Sequence, residues 1–431
     1  MNPYGSDKNK NAAGVPGVRQ ETTWQMPGRI TRKKARERRF DEKYGKFRKP
    51  VKIVSVILVF ALLYIFVCFT QFSPIRTLRT AYIETAMSTM SHQWLAEWFF
   101  PRSVVDEVVN NINAAEQAQI GLFSRWINRQ DLNAQHNEVS SEDVFYMFFR
   151  ELDRDSFDAY LEKHPETLKD GWKGIYINEA GINDKGTEIR TRNGDQVLAI
   201  DAKNKILLIR VEGTGYQGVL AIAKDSSRLS CCTSKYIGSA GQKLDAYAEA
   251  NNGVLLMNGS GFIDEDGRGS GGQFAGLAVS HGKVYGSSFG YGKRIELHED
   301  NLMYITDATT APSPGTTDAV EFSPALIIDG EVLVNEFSAY SSINPRACIG
   351  QNVYGEVMML VIEGRLVGRS IGCGVAECAK IAQRYNCYQM LNLDGGTSAS
   401  LWYDGEYVIK CSNTNIKCRD LPNAWVYERI G

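Results

Sequence analysis

A long apolar run near the N-terminus limits how this 431-residue chain can be arranged. From Ile53 to Phe69 the only clearly polar side chain is Ser55, and the run can be extended to Phe72. A transmembrane helix needs about 20 mostly apolar residues. The sequence therefore predicts one membrane span over residues 53–72, with the lipid bilayer as a partner.

Basic residues crowd the N-terminal side of this run, from Arg29 to Lys52. Because positive residues stay in the cytoplasm, residues 1–52 are predicted to form a basic, partly disordered cytoplasmic tail. Everything after Phe72 then lies outside the cell, in a single-pass protein of the plasma membrane. A cleaved signal peptide would have a short basic head and a small-residue cleavage site, and Thr70–Pro74 offers no such site. The span explains the basic run, so we expect no nucleic-acid partner.

Residues 73–168 have helical periodicity and are interpreted as an extracellular helical stalk. The patterns predict helices over 75–100, from an N-cap at Ser103 to about Gln119, and over 142–163. An aromatic cluster in the first of these either rests on the membrane surface or, as we favour, packs against neighbouring helices: Trp94, Trp98, Phe99 and Phe100. No chemistry is assigned to the stalk.

From residue 169 to residue 431 the pattern changes to short strands separated by Gly-rich turns. Strands are predicted at 174–177, 187–191, 196–200, 205–209, 216–223 and 254–257, with a helix at 239–250. There is no sustained strand–helix alternation. The predicted fold class is therefore α+β, a mixed and largely antiparallel sheet domain with flanking helices, preceded by the span and the stalk.

Cysteine and histidine usage excludes several kinds of site. Eight of the nine cysteines follow the span, where an oxidising exterior permits disulfides. Cys411 and Cys418 flank a loop and suit a hairpin clasp, and no other pairing is assigned. No Cys-x-x-Cys spacing of a zinc site occurs. Only His281 and His298 fall in the strand-rich region, and neither has the spacing of a nucleophile triad or metal site.

The most unusual segment is Asn392–Ser398, where Asp394 stands between an apolar strand and the turn Gly395-Gly396. Burying a carboxylate costs several kcal/mol unless it is paired or hydrogen-bonded. The two glycines leave backbone N–H groups free to approach an anion. Asp394 therefore either anchors its own turn or acts on a ligand.

Three further segments carry residues suited to chemistry. Asn258 follows a strand and either binds a sugar or phosphate or adopts a left-handed turn. Arg346 follows a proline and either grips phosphate oxygens or forms a salt bridge. Glu377 falls in the first turn of a helix expected from Val375, where the helix dipole favours an acid. The acidic turn 264–267 could hold a hard divalent cation, but it lacks the calcium-loop spacing, so we favour an exposed turn and expect no metal or other cofactor.

Taken in order, these segments resemble the phosphodiester glycosidase domain family, over roughly residues 169–431. The resemblance is carried by Asn258-Gly259-x-x-Phe262, Pro345-Arg346, Glu377-x-Ala379 and Asn392-Leu393-Asp394-Gly395-Gly396. It implies an α+β fold and hydrolysis of the bond between a sugar anomeric carbon and a phosphate. It also implies a catalytic set and a substrate-binding set: Asp394, Glu377 and Arg346; and Asn258, Gly395, Gly396, Thr397 and Ser398. The sequence departs from the family at Thr397, where a third glycine is usual, and at Cys378, which replaces a leucine.

The residue types fit that reaction. A departing phosphate needs charge neutralisation, for which Arg346 is suited, and the sugar needs a carboxylate from Asp394 or Glu377. The expected substrate is a phosphodiester-linked glycan or wall polymer at the cell surface. The alternative is a membrane-tethered protein of polysaccharide assembly that binds glycan without cleaving it. A hydrolase using Cys348 or Cys373 as nucleophile is disfavoured because no histidine lies nearby in sequence.

Overall fold

The structure, a computed structural model, describes residues 32–87, 93–126, 140–180, 185–264, 269–335 and 342–431. The chain divides into two compact units, residues 1–65 and 66–431, and each is described by itself. The expected disorder at the start of the tail falls outside the described residues.

The first unit contains a single described helix, α1 (Arg32–Phe69), whose last residues belong to the second unit. Its Pro50–Phe69 part has a mean hydropathy of 2.8 and is long and apolar enough to cross a membrane. The helix therefore ends three residues before the predicted end of the span at Phe72. Its orientation in a membrane remains a prediction.

Seven further α-helices are described in the second unit: α2 (Ser73–Met87), α3 (Gln93–Phe99), α4 (Arg102–Gln119), α5 (Ser141–Phe148), α6 (Arg154–Lys163), α7 (Leu244–Ala250) and α8 (Val375–Arg384). Helices α2, α3 and α4 share a small apolar cluster that includes Ile83, Ala96 and Val104. Helices α5, α6 and α8 instead pack against a large β-sheet.

Twenty strands are described: β1 (Tyr176–Asn178), β2 (Val197–Asp201), β3 (Ile206–Gly213), β4 (Tyr216–Ala223), β5 (Leu229–Thr233), β6 (Gly253–Asn258), β7 (Gly261–Phe262), β8 (Phe274–Ser280), β9 (Lys283–Ser287), β10 (Lys293–His298), β11 (Met303–Asp307), β12 (Thr316–Phe322), β13 (Ala325–Ile328), β14 (Glu331–Val332), β15 (Arg346–Asn352), β16 (Val357–Ile362), β17 (Cys387–Asn392), β18 (Leu401–Tyr403), β19 (Glu406–Ile409) and β20 (Asn423–Glu428).

Within the described ranges these strands form three antiparallel sheets. The largest has the order β1-β2-β3-β4-β16-β15-β17-β13-β14. A second has the order β11-β10-β12-β8-β7, with β9 also paired to β8, and the third the order β19-β18-β6-β20-β5. Helices and antiparallel sheets are thus combined in one unit, and the predicted α+β class is confirmed.

The largest sheet is buried on both faces. In β3, Ile206 and Leu208 face the core shared with the other two sheets, whereas Leu207 and Ile209 face the helices. Because side chains alternate along a strand, a strand covered on both sides must be apolar throughout. This explains the unbroken apolar sequence from Val357 to Ile362 in β16.

Several predicted elements have different limits in the structure. The single helix expected over 142–163 is two helices, because Leu152 forms a bridge with Thr191 and Asp153 caps α6 by accepting from Ser156 N–H. The strand expected over 187–191 is reduced to isolated bridges, and the helix expected from residue 239 begins at Leu244.

The stalk helices also begin and end differently. Helix α4 has Pro101 at its N-cap, with no side-chain cap, so the predicted cap at Ser103 is wrong. The helix expected over 75–100 is described as α2 and α3, with residues 88–92 outside the described part.

Aromatic residues of α3 are exposed rather than packed. Trp94 is 46%, Trp98 is 78% and Phe99 is 56% exposed. The favoured interpretation, packing against neighbouring helices, is therefore wrong for these three side chains. Phe100 does pack, with its ring centroid 5.6 Å from that of Tyr82.

The last residue of α4 and the segment after it, residues 119–126, are bound to the sheets and are called the strap. The Gln119 side chain donates to Ala325 C=O at 3.0 Å and accepts from Ala325 N–H at 3.1 Å. Ser124 N–H donates to Ile305 C=O at 3.2 Å, and the Trp126 indole donates to Met303 C=O at 2.8 Å. This part of the predicted stalk is therefore held on the sheets along its length.

All nine cysteines lie in described residues, and all are free thiols. The clasp expected between Cys411 and Cys418 is not formed. Cys411 Sγ contacts the carbonyls of Asn413 and Ile416, whereas Cys418 Sγ contacts the carbonyl of Arg419.

A buried ionic network joins the turn after α5 to the largest sheet. Lys224, whose side chain is fully buried, lies 2.7 Å from a Glu151 oxygen and 3.2 Å from a Glu356 oxygen. Arg150 lies 2.6 Å from the other oxygen of Glu356. Removing one member of a buried ion pair leaves an uncompensated charge, which costs far more than the loss of an exposed pair.

We expect Lys224→Met to lower the free energy of unfolding by about 3–5 kcal/mol, because Glu151 loses its closest cation and Glu356 is left with Arg150 alone. The control Lys163→Met removes an exposed ion pair with Glu188, and it should cost less than about 1 kcal/mol. Urea unfolding of the detergent-solubilised full chain measures both. Equal losses in the two variants would contradict a structural role for the network.

Candidate active site

The Asp394 turn lies where two of the sheets meet. It leaves the largest sheet at the end of β17 and enters the β6-containing sheet at β18. Because β15 and β17 are antiparallel, with Cys348 opposite Asn392, the end of β17 lies beside the start of β15. Leu393 N–H donates to Ala347 C=O at 2.8 Å. Strand pairing therefore brings the Asp394 and Arg346 backbones together.

Asn258, at the end of β6, holds the turn from the opposite side. Its side-chain N–H donates to Asp394 C=O at 2.7 Å, and its side-chain oxygen accepts from Ser400 N–H at 3.2 Å. The residue is fully buried and its φ is not positive. Asn258 therefore positions the turn, and the left-handed conformation considered from the sequence is wrong, whereas its binding of substrate remains a prediction.

The two glycines allow the turn to approach Pro345. A Cβ on Gly395 would lie 2.6 Å from Pro345 C=O, which is closer than real contacts allow. Gly396 has a φ of +57° and donates its N–H to Pro345 C=O at 2.9 Å. Because this N–H already donates to Pro345, the prediction that the Gly396 N–H is free to bind an anion is wrong.

The Asp394 side chain is half-buried. Burial raises the pKa of Asp394 to about 6, although a hydrogen bond from Ser398 and the charges of Arg419 and Arg365 oppose the rise. The nearby carboxylate of Asp264 adds to it. The surroundings of Asp394 thus favour its protonated form, and Ser398, Arg419 and Arg365 compensate its negative charge only in part.

Arg365 places a guanidinium over the turn. Its Nη1 donates to Thr397 Oγ1 at 3.2 Å and its Nη2 to Asn344 Oδ1 at 3.2 Å. Both acceptors are neutral, and among the described residues no carboxylate forms an ion pair with Arg365. Its backbone has a φ of +60°, a conformation unfavourable for a residue with a side chain. No sequence pattern indicates Arg365, because it lies in a loop without periodicity.

Arg419 and Asp264 form a second charged group near Asp394. Arg419 Nη1 lies 2.5 Å from Asp264 Oδ2, and Arg419 Nη2 donates to Asp264 Oδ1 at 3.0 Å. Burial favours a higher pKa for Asp264, but the hydrogen bonds from Arg419 and Gly269 N–H outweigh it and lower the pKa below its usual range. The prediction of an exposed turn is therefore wrong for Asp264, which is partly buried and paired with Arg419. Residues 265–267 lie outside the described part.

Arg346 is bonded to the loop that precedes α8 and to Ser342. Its Nε donates to Cys373 C=O at 3.0 Å and its Nη2 to Ser342 C=O at 2.5 Å. The residue is only 7% exposed. These bonds hold Arg346 on the Cys373 loop and Ser342, and its predicted part in the reaction remains a prediction.

Glu377 lies in the first turn of α8, as predicted, with Gly374 as the N-cap. Its side chain lies 2.8 Å from Lys380 Nζ and accepts from Tyr216 OH at 3.3 Å. No hydrogen bond or ion pair joins it to Asp394 in the described part of the chain. The two predicted carboxylates are therefore not a directly bonded pair.

The structure thus brings most of the predicted site residues together. Five form the turn, namely Asp394, Gly395, Gly396, Thr397 and Ser398, and Asn258 holds it by a hydrogen bond. Arg346 and Glu377 flank it through the Cys373 loop. Within the described ranges no three His, Cys, Asp or Glu side chains converge as metal ligands. The expectation that no metal or other cofactor takes part remains a prediction.

Residues 251–428 match the family model of the phosphodiester glycosidases. The phosphodiester glycosidase domain that this match defines is less than half of the chain. The resemblance predicted over residues 169–431 is confirmed for residues 251–428, and the family is one of glycosidase-type hydrolases. A search of curated proteins gave no significant match.

Solved structures similar to the phosphodiester glycosidase domain are distant. The catalytic domain of zebrafish N-acetylglucosamine-1-phosphodiester alpha-N-acetylglucosaminidase, auto-inhibited by its pro-peptide, is 16% identical with a TM-score of 0.42. The match covers 52% of this chain and 82% of that one. A hypothetical protein from Synechocystis is 14% identical with a TM-score of 0.39, and the match covers 55% of this chain and 65% of that one.

The raised pKa of Asp394 predicts a pH-dependent effect of Asp394→Asn. An acid whose folded pKa lies above its unfolded value of about 3.9 destabilises the fold once it ionises. The penalty is absent below about pH 4 and complete above about pH 6. The free energy of unfolding of Asp394→Asn, taken relative to that of the wild type, should therefore be about 1–3 kcal/mol higher at pH 7.5 than at pH 4.5.

Asp404→Asn is a control of opposite sign for this experiment. The hydrogen bonds from Tyr176 and Arg429 outweigh burial and lower the pKa of Asp404. Its stabilisation is present above the unfolded pKa, so Asp404→Asn should lose stability at pH 7.5 relative to pH 4.5. Urea unfolding at the two pH values measures both variants. A pH trend of the same sign in both would contradict the assignment of Asp394.

Proposed function

We propose that this protein hydrolyses the bond between a sugar anomeric carbon and the phosphate of a sugar-1-phosphodiester, in a cell-surface or exopolysaccharide polymer. The observation that carries the proposal is the Arg365 guanidinium, which has neutral partners and lies over the Asp394 turn. It would neutralise the phosphate as the bond breaks, since stabilising charge in the transition state is commonly the largest catalytic effect.

Asp394 is proposed to act on the sugar, as nucleophile or as the base that activates water. A pKa of about 6 leaves it mostly ionised at neutral pH and still basic enough to accept a proton. Asp264 differs, because Arg419 keeps it ionised. Two carboxyl groups whose environments separate their pKa values are typical of acid–base sites.

The remaining predicted residues are proposed to support this chemistry. Asn258, Gly395 and Gly396 would hold the turn in place, and Thr397 would orient Arg365 while Ser398 stabilises the Asp394 carboxylate. Arg346, bonded to Ser342 and Cys373, would position the loop that leads to Glu377. Glu377 remains a candidate for the far side of the substrate, where Tyr216 and Lys380 already contact it.

Membrane anchoring through the apolar part of α1 is proposed to keep the domain near polymers outside the cell. Arg79, which is buried, donates to the carbonyls of Val67, Cys68 and Thr70 at 2.7–3.1 Å. A cation is favoured at the C-terminal end of a helix. The exposed Trp94 and Trp98 suit the headgroup region, where tryptophan is enriched.

We expect Arg365→Met to lower turnover of a sugar-1-phosphodiester by about 100- to 1,000-fold, because a positioned charge donor is lost. Asp394→Asn should lower it by about 100- to 10,000-fold. The matched control is Arg369→Met, on the same loop, whose guanidinium is instead paired with Glu363 at 2.6 Å. Its turnover should stay within about twofold of the wild type.

The assay uses the detergent-solubilised full chain and methyl diesters of sugar 1-phosphates, with release of free sugar as the measurement. Wild-type turnover in both Arg365→Met and Asp394→Asn would refute the assignment. A wild-type protein that binds the polymer and releases no sugar over long incubation would support the alternative, a non-catalytic glycan-binding protein.

The anchoring proposal is tested separately by cell fractionation. The full chain should stay with membranes after an alkaline carbonate wash, and a variant that begins at Ser73 should be released. Protease added to intact spheroplasts should digest the C-terminal domain. Protection of that domain until the cells are lysed would contradict the proposed orientation.

A further inference from the structure

Three cysteines meet at the start of α8, and the proposed hydrolysis uses none of them. Cys348 belongs to β15, Cys373 to the loop before α8 and Cys378 to α8 itself. Each is at most 3% exposed. The Sγ atoms of Cys373 and Cys378 are 3.7 Å apart.

The contact between Cys373 and Cys378 follows from how α8 begins. With Gly374 as the N-cap, Cys373 precedes the cap and Cys378 is the fourth helical residue. Side chains at these two positions commonly pack together and fix the direction in which the chain enters a helix. The two sulfurs are therefore adjacent because of the cap geometry.

The surroundings also favour the thiolate form of one sulfur. Hydrogen bonds from Cys348 and then Cys373 hold the pKa of Cys378 well below its usual range in spite of burial, and the Arg346 charge assists. The thiolate is the form that attacks a disulfide. Cys378 therefore provides the thiolate, and Cys373, with its Sγ 3.7 Å away, is the neighbour placed to complete a disulfide.

We propose that Cys373 and Cys378 are an oxidation site, forming a disulfide that fastens the first turn of α8 to the Cys373 loop. The oxidant is a low-molecular-weight disulfide. The Cys378 thiolate attacks one of its sulfurs and releases one thiolate. Cys373 then loses its proton and attacks Cys378 Sγ, which expels the second thiolate. Two protein thiols and one small disulfide become one protein disulfide and two small thiols.

The bond would fix two groups that flank the Asp394 turn. Cys373 C=O accepts the Arg346 Nε hydrogen bond, and Glu377 immediately precedes Cys378. The sulfurs would close from 3.7 Å to a bond of about 2.0 Å. The proposal does not depend on the hydrolytic function, because its test measures the bond directly.

Peptide mapping tests it. The detergent-solubilised full chain is incubated with oxidised or reduced glutathione, denatured, alkylated and digested. Trypsin releases Ser370–Lys380, and cleavage after Glu377 then separates Cys373 from Cys378. We expect the two fragments to stay joined after oxidation until a reductant is added. The number of alkylated cysteines should fall from nine to seven.

Variants identify the partners. Cys348→Ala should retain the joined fragments, and Cys378→Ala should abolish the loss of thiols. Cys387→Ala is the control, since this buried thiol contacts only backbone carbonyls. Hydrogen exchange of the wild type should also slow at residues 374–378 on oxidation. A crosslink from Cys348, nine alkylated cysteines after oxidation, or unchanged exchange at these residues would overturn the proposal.

Discussion

The antiparallel pairing of β15 with β17 is the constraint on which the candidate site depends. It places the end of one strand beside the start of the other, so residues about fifty positions apart in sequence become backbone neighbours. The turn after β17 is then pressed on Pro345, where glycine is needed at 395 because a side chain would collide. From there the chain crosses to another sheet, where Asn258 receives it. The geometry of the site is thus fixed by backbone contacts rather than by its charged groups.

The charged groups around that turn differ in how fully their charges are compensated. Arg419 is committed to Asp264 by two hydrogen bonds, and Arg346 to backbone carbonyls. Arg365 has only neutral acceptors among the described residues, and Asp394 is partly desolvated with an elevated pKa. One cation and one carboxylate are therefore incompletely compensated. Such an arrangement leaves both groups available to the phosphodiester proposed as substrate.

The sequence predicted the fold class and the turn, because both depend on local patterns. Alternating apolar residues indicated strands, and Asp-Gly-Gly after an apolar strand indicated a tight turn. The direction of Arg346 was not predictable, because strand pairing decides which face a residue occupies. Arg346 and Cys348 face the helices, while Ala347 between them faces the other sheets. Arg365 and Arg419 were missed because their positions depend on loops brought together only by folding.

The strap of residues 119–126 gives the domain a mechanical property. If α1 is held in a membrane as proposed, a pull on a polymer bound at the Asp394 turn is opposed by the anchor. The load then enters the sheets through the hydrogen bonds of Gln119, Ser124 and Trp126 with strands β11 and β13. These bonds share the force over several residues, on strands other than β17 and β15. Because Trp126 also packs on Tyr388 of β17, with ring centroids 4.8 Å apart, part of that load reaches the strand that leads into the Asp394 turn.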